Sequence, residues 1–312
     1  MGNIGSYISQ SFPPKSKFSV GDIPDLTGSV IVVTGGNAGI GYEIIKALLP
    51  KNAKVYMLSR SKERAESAIS RLKTETGKEA LFIQLDLSDL DSVRRASDEL
   101  ISKESKLDVL FNNGGVMNTP IEQLTAQGFD LQFGTNVIGH FLLTKRLMPL
   151  LLSGAQSSTD KKARVVNQSS SAQMFVDTID LGALKDVPAR TKLGSAKLYM
   201  QSKFANIVFS NELARRYGDK GIVSTSLNPG NLKTDLQRHT PAAFMMLFGW
   251  MFSPAPYGAL TPLYGGVSTA SVDLNGKYLI PWARVGYMRK EAEDPELGEK
   301  LWNWLETETN KS

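Results

Sequence analysis

Residues 30–41 read Val30-Ile31-Val32-Val33-Thr34-Gly35-Gly36-Asn37-Ala38-Gly39-Ile40-Gly41. The β-branched first half is typical of a buried parallel strand, and an apolar helical pattern follows from Tyr42 to Leu49. The spaced glycines let the backbone turn sharply and approach a ligand closely. The start of the helix then offers free N–H groups and a positive dipole end, which favour a pyrophosphate. Strand, glycine turn and helix in this order predict a dinucleotide site.

The composition limits the other classes of function. The chain has 312 residues, of which 41% are hydrophobic and 21% charged, proportions ordinary for a globular protein. The net charge of +5 suits an anionic cofactor or an acidic membrane surface, and no dense Lys/Arg block indicates nucleic-acid binding. The absence of cysteine excludes disulfides, thiolate metal sites and cysteine nucleophiles. His140 and His239 lie far apart in the sequence, so we expect no metal site.

The amino terminus bears on where the protein acts. No apolar run reaches the roughly 18 residues that span a bilayer, and no signal-peptide pattern is present. The chain begins Met1-Gly2-Asn3-Ile4-Gly5-Ser6, which matches the N-myristoylation pattern. The alternative is a flexible start that happens to contain Gly2 and Ser6. We expect a cytoplasmic protein or one peripheral on an intracellular membrane; a homo-oligomer is compatible with the sequence.

Strands and helices alternate along the chain, with no internal repeat or linker. This alternation predicts a single α/β domain with one doubly wound parallel sheet, a Rossmann fold. We expect residues 1–27 to be a polar arm on the surface of the domain that spans 28–312, with a substrate lid at about 236–275. After the first strand, the predicted strands are 54–59, 80–85, 108–111, 164–168, 222–227 and 277–280, and the predicted helices include 62–76, 88–103 (capped by Ser88), 128–152, 195–217 and 296–309.

The end of the second strand decides the type of cofactor. An acidic residue there would bind the adenosine ribose of NAD, whereas an arginine can pair with the 2′-phosphate of NADP. The sequence reads Ser59-Arg60-Ser61-Lys62 with no carboxylate before Glu63, which favours NADP(H) over a merely solvated helix start. Asp86-Leu87 follows the third strand, at the edge where ligands bind in such sheets. Asp86 is therefore a candidate partner for the adenine amino group.

Residues 242–252 form an apolar segment, Ala-Ala-Phe-Met-Met-Leu-Phe-Gly-Trp-Met-Phe, that is too short to span a membrane. Three interpretations remain open: a buried helix, a lid that closes over an apolar substrate, or a surface that enters a membrane interface. Acylation of Gly2 would favour the membrane contact.

Tyr199 and Lys203 stand four residues apart in a predicted helix, so a phenol and an ammonium share one face. An unperturbed tyrosine has a pKa near 10, and both a lysine and a positive nicotinamide ring would favour its phenolate. Lowering this pKa by about 3 units requires on the order of 4 kcal/mol, which two close charges can supply. Because the helix follows a strand that ends in serines, the pair predicts acid–base chemistry beside the dinucleotide.

These motifs together resemble the short-chain dehydrogenase/reductase family over roughly residues 28–235. The matching elements are Thr34-Gly35-x-x-x-Gly39-Ile40-Gly41, Asn112-Asn113-Gly114, Asn136, Ser170, Tyr199-x-x-x-Lys203 and Pro229-Gly230-x-x-x-Thr234. Two features depart from compact members: Gly114 replaces the usual alanine, and the connection after the fifth strand is longer. That connection, with Gln201 to Asn206, resembles the branch of retinol dehydrogenases and WW-domain oxidoreductases, which act on lipophilic alcohols, aldehydes and ketones.

The resemblance implies a role for each site residue. Tyr199 would be the general acid/base, and Ser170, chosen among three adjacent serines, would hydrogen-bond the reacting carbonyl oxygen. Lys203 would hold the nicotinamide ribose and bias Tyr199, while Asn136 would carry a proton relay through a bound water. The residues expected at the cofactor are Gly35, Asn37, Gly39, Ile40, Gly41, Arg60, Asp86, Leu87, Asn113, Gly114, Tyr199, Lys203, Pro229, Gly230 and Thr234.

The leading functional hypothesis is an NADP(H)-dependent oxidoreductase that moves hydride between nicotinamide and an apolar carbonyl/alcohol pair. A non-catalytic NADP(H) sensor or scaffold on the same fold is the alternative, although it would not need an intact Ser–Tyr–Lys set. A third hypothesis is an epimerase or dehydratase with tightly held nicotinamide, which would show no net NADP(H) turnover. Fold analogy alone does not choose the substrate.

Overall fold

A computed structural model describes residues 3–185, 187–232 and 253–311. Its strands are β1 (Val30–Thr34), β2 (Lys54–Ser59), β3 (Leu81–Gln84), β4 (Val109–Asn112), β5 (Ala163–Gln168), β6 (Ile222–Leu227), β7 (Tyr278–Ile280) and β8 (Arg284–Gly286). They form one sheet in the order β3-β2-β1-β4-β5-β6-β7-β8. β1 to β7 run parallel, and β8 pairs antiparallel with β7. The predicted doubly wound sheet is confirmed.

The helices of the described residues are α1 (Asn3–Ser11), α2 (Gly39–Leu48), α3 (Lys62–Thr76), α4 (Leu90–Lys103), α5 (Leu131–Phe133), α6 (Gly139–Ser157), α7 (Val187–Leu193), α8 (Ser195–Tyr217), α9 (Ala255–Val267) and α10 (Pro295–Asn310). The predicted bounds of α3 and α8 are confirmed. The helix predicted for 128–152 runs from Leu131 to Ser157, and within it a π-helical turn, Gly134–Ile138, lies between α5 and α6.

Two apolar layers enclose the sheet. Helices α4, α6, α8 and α10 cover one face, and α2, α3 and α9 cover the other. Successive residues of β1 point to opposite layers: Val30 and Val32 pack in the first, Ile31 and Val33 in the second. A strand buried on both faces favours apolar residues on both, which is why Val30 to Val33 form a continuous apolar run.

Local details correct two further predictions. Asp89, and not Ser88, caps α4: its carboxylate accepts a hydrogen bond from the Asp91 N–H, while the Ser88 hydroxyl donates to Asp86. β8 was not predicted, because three residues with partly exposed side chains carry too short a pattern.

Only part of the expected lid lies in the described residues, and that part is a core helix. Gly258 of α9 packs against Leu232 and Ile40, and Gly266 packs against Phe111 of β4. Thr234, the lid residues up to 252 and the apolar segment 242–252 lie outside the described residues, so their role stays a prediction. No helix within the described ranges combines the length and apolar character needed to cross a membrane.

The amino-terminal arm, predicted to be a polar arm on the surface, contains regular structure and buried residues. It contains α1 and a short 3-10 helix, Val20–Asp22. Phe18, Ile23 and Leu26 are buried in the layer formed by α2, α3 and α9. The arm therefore adds apolar contacts to the domain that follows it.

Candidate active site

A cleft opens where β1 to β4 end at their carboxyl edge, the edge at which open α/β sheets bind ligands. It brings together nine of the residues predicted to contact the cofactor: Gly35, Asn37, Gly39, Ile40, Arg60, Asp86, Leu87, Asn113 and Gly114. Arg64, Thr135 and Gln168 also line it and were not predicted. Arg64 follows Arg60 by four residues, so the predicted start of α3 could have identified it. Gln168 is the last residue of β5, and its place beside the serines was the available signal.

The glycine turn depends on the lack of side chains. Gly35 and Gly39 have φ angles of 66° and 54°, in the region that favours glycine. Gly41 does not line the cleft. A Cβ there would lie 2.4 Å from the Gly35 carbonyl oxygen and 2.7 Å from Asn113 Nδ2. Gly41 therefore lets α2 start directly behind the turn.

Several buried polar atoms of the cleft have no hydrogen-bond partner among the described residues. They are Ser59 Oγ, Asn113 Oδ1, Thr135 Oγ1 and Gln168 Oε1. Each unpaired buried group costs about 1–3 kcal/mol, so native structures normally pair such groups. A ligand rich in ribose, phosphate and amide groups would satisfy these atoms, and the cleft therefore fits a nicotinamide dinucleotide.

Ser170, Tyr199 and Lys203 meet at the end of β5. The Ser170 hydroxyl lies near the Tyr199 phenol and acts to lower its pKa. Lys203 Nζ lies 5.7 Å from the centre of the Tyr199 ring and donates to the Gln168 carbonyl at 3.1 Å. Ser169 is engaged elsewhere, since its hydroxyl donates to the Lys203 carbonyl at 2.6 Å. Of the first two serines, it is Ser170 that the structure brings to the phenol.

The electrostatics of this group differ from the sequence-based expectation. Burial raises the pKa of Tyr199 to about 12, against the lowering effect of the Ser170 hydroxyl. Burial also lowers the pKa of Lys203 to about 8. Desolvation penalises both charged forms, and the charge of a bound nicotinamide would act against this penalty at Tyr199. The Tyr199 phenol is therefore protonated at neutral pH, which is the form that donates a proton.

Asn136 lies in the π-helical turn, and its side chain is fully engaged. Nδ2 donates to the Val116 carbonyl and to Ser202 Oγ, both at 3.0 Å, and Oδ1 accepts from the Val116 N–H at 2.9 Å. These bonds tie the loop after β4 to α8. The proton relay implied by the resemblance stays a prediction, and it would have to use the main-chain carbonyl of Asn136.

Pro229 and Gly230 follow β6 in a turn that Asn228 stabilises. Asn228 Oδ1 accepts from the Gly230 N–H at 3.1 Å. Gly230 has a φ of 94°, and a Cβ there would lie 2.8 Å from the Trp282 ring. The structure does not place Pro229 or Gly230 in the lining of the cleft, so their contact with the cofactor stays a prediction.

His140 has a structural place in α6 and is only 3% exposed. Its Nδ1 lies 3.0 Å from the Asn136 carbonyl, and its Nε2 lies 2.9 Å from Thr34 Oγ1. Since a carbonyl oxygen only accepts, Nδ1 carries the proton and Nε2 accepts from the Thr34 hydroxyl. Burial is the main reason that the pKa of His140 falls to about 4 from the ordinary 6.5.

This shift predicts acid sensitivity. Below pH 6.5 His140 is protonated in the unfolded chain, whereas in the folded chain it stays neutral until about pH 4. The stabilisation is present above pH 6.5 and is lost as the pH falls through this window, by on the order of 3 kcal/mol. Urea unfolding at pH 7.5 and 4.5 should show His140→Gln losing less stability on acidification than the unmodified chain. Parallel losses would assign the acid sensitivity to other groups.

The chain is similar in sequence to known dehydrogenases. The family described as "short chain dehydrogenase" matches residues 29–178 of the chain. A short-chain dehydrogenase/reductase of Armillaria gallica is 57% identical over 307 residues, covering 98% of each chain. Mouse (Mus musculus) retinol dehydrogenase 12 is 33% identical over 300 residues, covering 93% of this chain and 90% of the mouse protein.

Solved structures show the same fold. An uncharacterised protein of Mycobacterium paratuberculosis superposes with a TM-score of 0.73 at 28% identity, over 95% of this chain and 98% of that one. The NADP active-site complex of Pseudomonas aeruginosa RhlG superposes with a TM-score of 0.65 at 26% identity, over 81% of this chain and 94% of that one.

Proposed function

Because the chain belongs to the short-chain dehydrogenase/reductase family of oxidoreductases, we propose that it is NADP(H)-dependent and interconverts a lipophilic aldehyde or ketone with its alcohol. The observation that carries this proposal is the pairing of the Ser170 hydroxyl with the half-buried Tyr199 phenol, directly beyond Gln168, which lines the dinucleotide cleft. A sensor or scaffold would have no need of that pairing.

The cofactor would be held by residues of the cleft. We assign the pyrophosphate to the glycine turn and the start of α2, and the adenine to Asp86. Arg60 and Arg64 would pair with a 2′-phosphate, and Lys203 would hold the nicotinamide ribose. When bound, the cofactor supplies or accepts the hydride. The NADP complex of the similar Pseudomonas protein supports this choice over NAD.

The chain's own residues handle the substrate oxygen. The hydroxyls of Ser170 and Tyr199 would both hydrogen-bond the carbonyl oxygen and orient it. As negative charge develops on that oxygen, Tyr199 donates its proton and Ser170 stabilises the charge that remains. The Lys203 ammonium then favours the phenolate that is left. In the opposite direction, the same phenolate takes the proton from an alcohol.

An apolar substrate is favoured by the surroundings of Ser170. Met174 and Phe175 end the short 3-10 helix that begins directly after it, and the Phe175 side chain is 60% exposed. The similarity to mouse retinol dehydrogenase 12 supports the same class. Peripheral membrane contact through Gly2 and residues 242–252 would suit such substrates, and we retain it as part of the proposal.

The test is NADPH oxidation by the purified protein with straight-chain aldehydes and matching ketones. Each buried methylene contributes about 0.8 kcal/mol, so kcat/KM should rise by about 4-fold per added methylene until the site is filled. NADPH binding without turnover of any carbonyl, or of any alcohol with NADP⁺, would contradict the oxidoreductase and favour the sensor.

A further inference from the structure

Helix α1 packs beside the catalytic group through a buried glutamine. Gln10 is 1% exposed although it lies in an arm that the sequence describes as polar. Its Oε1 accepts a hydrogen bond from Asn228 Nδ2 at 2.9 Å, and its Nε2 lies 3.7 Å from Met174 Sδ. Nε2 also donates to Ser6 Oγ at 3.1 Å, within the same helix. The amide thus joins α1 to two separate loops of the domain.

Two further contacts hold α1 in the same place. Arg284 of β8 donates from Nη2 to the Ser9 carbonyl at 3.0 Å. The Tyr7 ring meets the Phe175 ring edge to face, with 5.7 Å between the centroids. Such ring pairs attract each other beyond the effect of burying their surface. The position of α1 therefore does not depend on Gln10 alone.

Of the two loops that Gln10 contacts, one begins at the candidate catalytic serine and the other follows β6. Met174 and Phe175 belong to the 3-10 helix whose cap is Ser170, and no other element separates them from that serine. Asn228 holds the turn after β6 by accepting the Gly230 N–H. A buried amide that lost these partners would be left unpaired, which destabilises the fold, so Gln10 helps to fix the position of α1 against both loops.

We propose that α1 is a wall of the substrate site. Gln10 is a positioning residue that fixes Met174 and the loop after Ser170, and the exposed ring faces of Tyr7 and Phe175 form the surface on which the apolar part of a carbonyl substrate lies. Tyr7 is 40% exposed and Phe175 is 60% exposed, so both rings keep free area for a ligand. This inference rests on the proposed function, which supplies the carbonyl.

The variants that test it are Gln10→Met and Tyr7→Ala, with Ile8→Ala as the matched control on the same helix. Methionine keeps the volume of Gln10 but loses the hydrogen bonds of its amide, and Ile8 is exposed. We expect KM for octanal to rise about 5-fold in Gln10→Met and in Tyr7→Ala. The kcat, the KM for propanal and the dissociation constant of NADPH, measured by nicotinamide fluorescence, should each change less than about 2-fold.

A purely structural role gives a different pattern. An equal rise in KM for propanal and octanal, or an equal rise in KM for octanal in Ile8→Ala and Tyr7→Ala, would overturn the proposal. A rise in KM confined to octanal and absent from the control supports it.

A second measurement does not need turnover. Octanamide, an unreactive carbonyl compound of the same length, is added to the NADP⁺-loaded protein, and amide hydrogen exchange is followed at residues 5–12 and 171–175. Protection of both segments, reduced in Tyr7→Ala, supports the wall even if no aldehyde is reduced, in which case only the proposed function fails. Turnover of octanal without protection of residues 5–12 overturns the wall and leaves the proposed function intact.

Discussion

Tyr199→Phe is expected to lower kcat/KM for carbonyl reduction by about 10²- to 10⁴-fold, the range that one general acid contributes. The substitution keeps the ring and removes only the hydroxyl that lies near Ser170. Because burial holds the pKa of Tyr199 at about 12, the phenol stores its proton at neutral pH and is the group placed to deliver it. NADPH affinity should change less than about 2-fold, since the loss falls on the proton-transfer step.

A second tyrosine beside the site provides the control. Tyr278 of β7 is buried, and its hydroxyl donates to the Ser170 carbonyl at 3.3 Å. Tyr278→Phe removes one support of that loop and should reduce kcat/KM by less than about 10-fold, the cost of one hydrogen bond. Steady-state rates at pH 7 with matched protein concentrations measure both variants. A larger loss of kcat/KM in Tyr278→Phe than in Tyr199→Phe would mean that Tyr199 is not the proton donor.

The sequence predicted those parts of the fold that depend on local patterns. The first four residues of β1 are apolar because both faces of the strand are buried, and Ser61 and Gly77 mark the two ends of α3 through a cap and a left-handed residue. β8 and the π-helical turn depend on distant partners. Within that turn, the Asn136 side chain hydrogen-bonds Val116, 20 residues before it, and Ser202, 66 residues after it.

The same distinction applies to the site. The glycine turn, Arg60 and the Tyr199–Lys203 pair have fixed local spacings, so the sequence alone could mark them as candidates. Gln10 could not be identified in this way, because the amide that it meets on Asn228 is 218 residues away. The direction of the Tyr199 pKa shift was also beyond the sequence, since desolvation depends on how deeply the folded chain buries the phenol.

Replacing Arg60 and Arg64 together by alanine is expected to weaken NADPH binding by about 100-fold and to leave NADH binding within about 3-fold. Both guanidinium groups line the cleft and are exposed, and neither is paired with a carboxylate of the described residues. Next to them lies the unpartnered Ser59 hydroxyl. Two charge-assisted hydrogen bonds to a phosphate, at about 1.5 kcal/mol each, account for this loss.

Lys62→Ala is the matched control, because it removes one positive charge from the same helix start. Lys62 does not line the cleft, and its ammonium lies 3.8 Å from the Glu66 carboxylate. Titration of nicotinamide fluorescence gives both dissociation constants at fixed ionic strength, which keeps long-range screening constant. Equal weakening of NADPH and NADH would mean that the arginines attract any anion, and a loss in Lys62→Ala as large as in the double variant would mean the same. Only the change in the NADPH/NADH ratio separates recognition of the 2′-phosphate from the general attraction between a basic chain and an anionic cofactor.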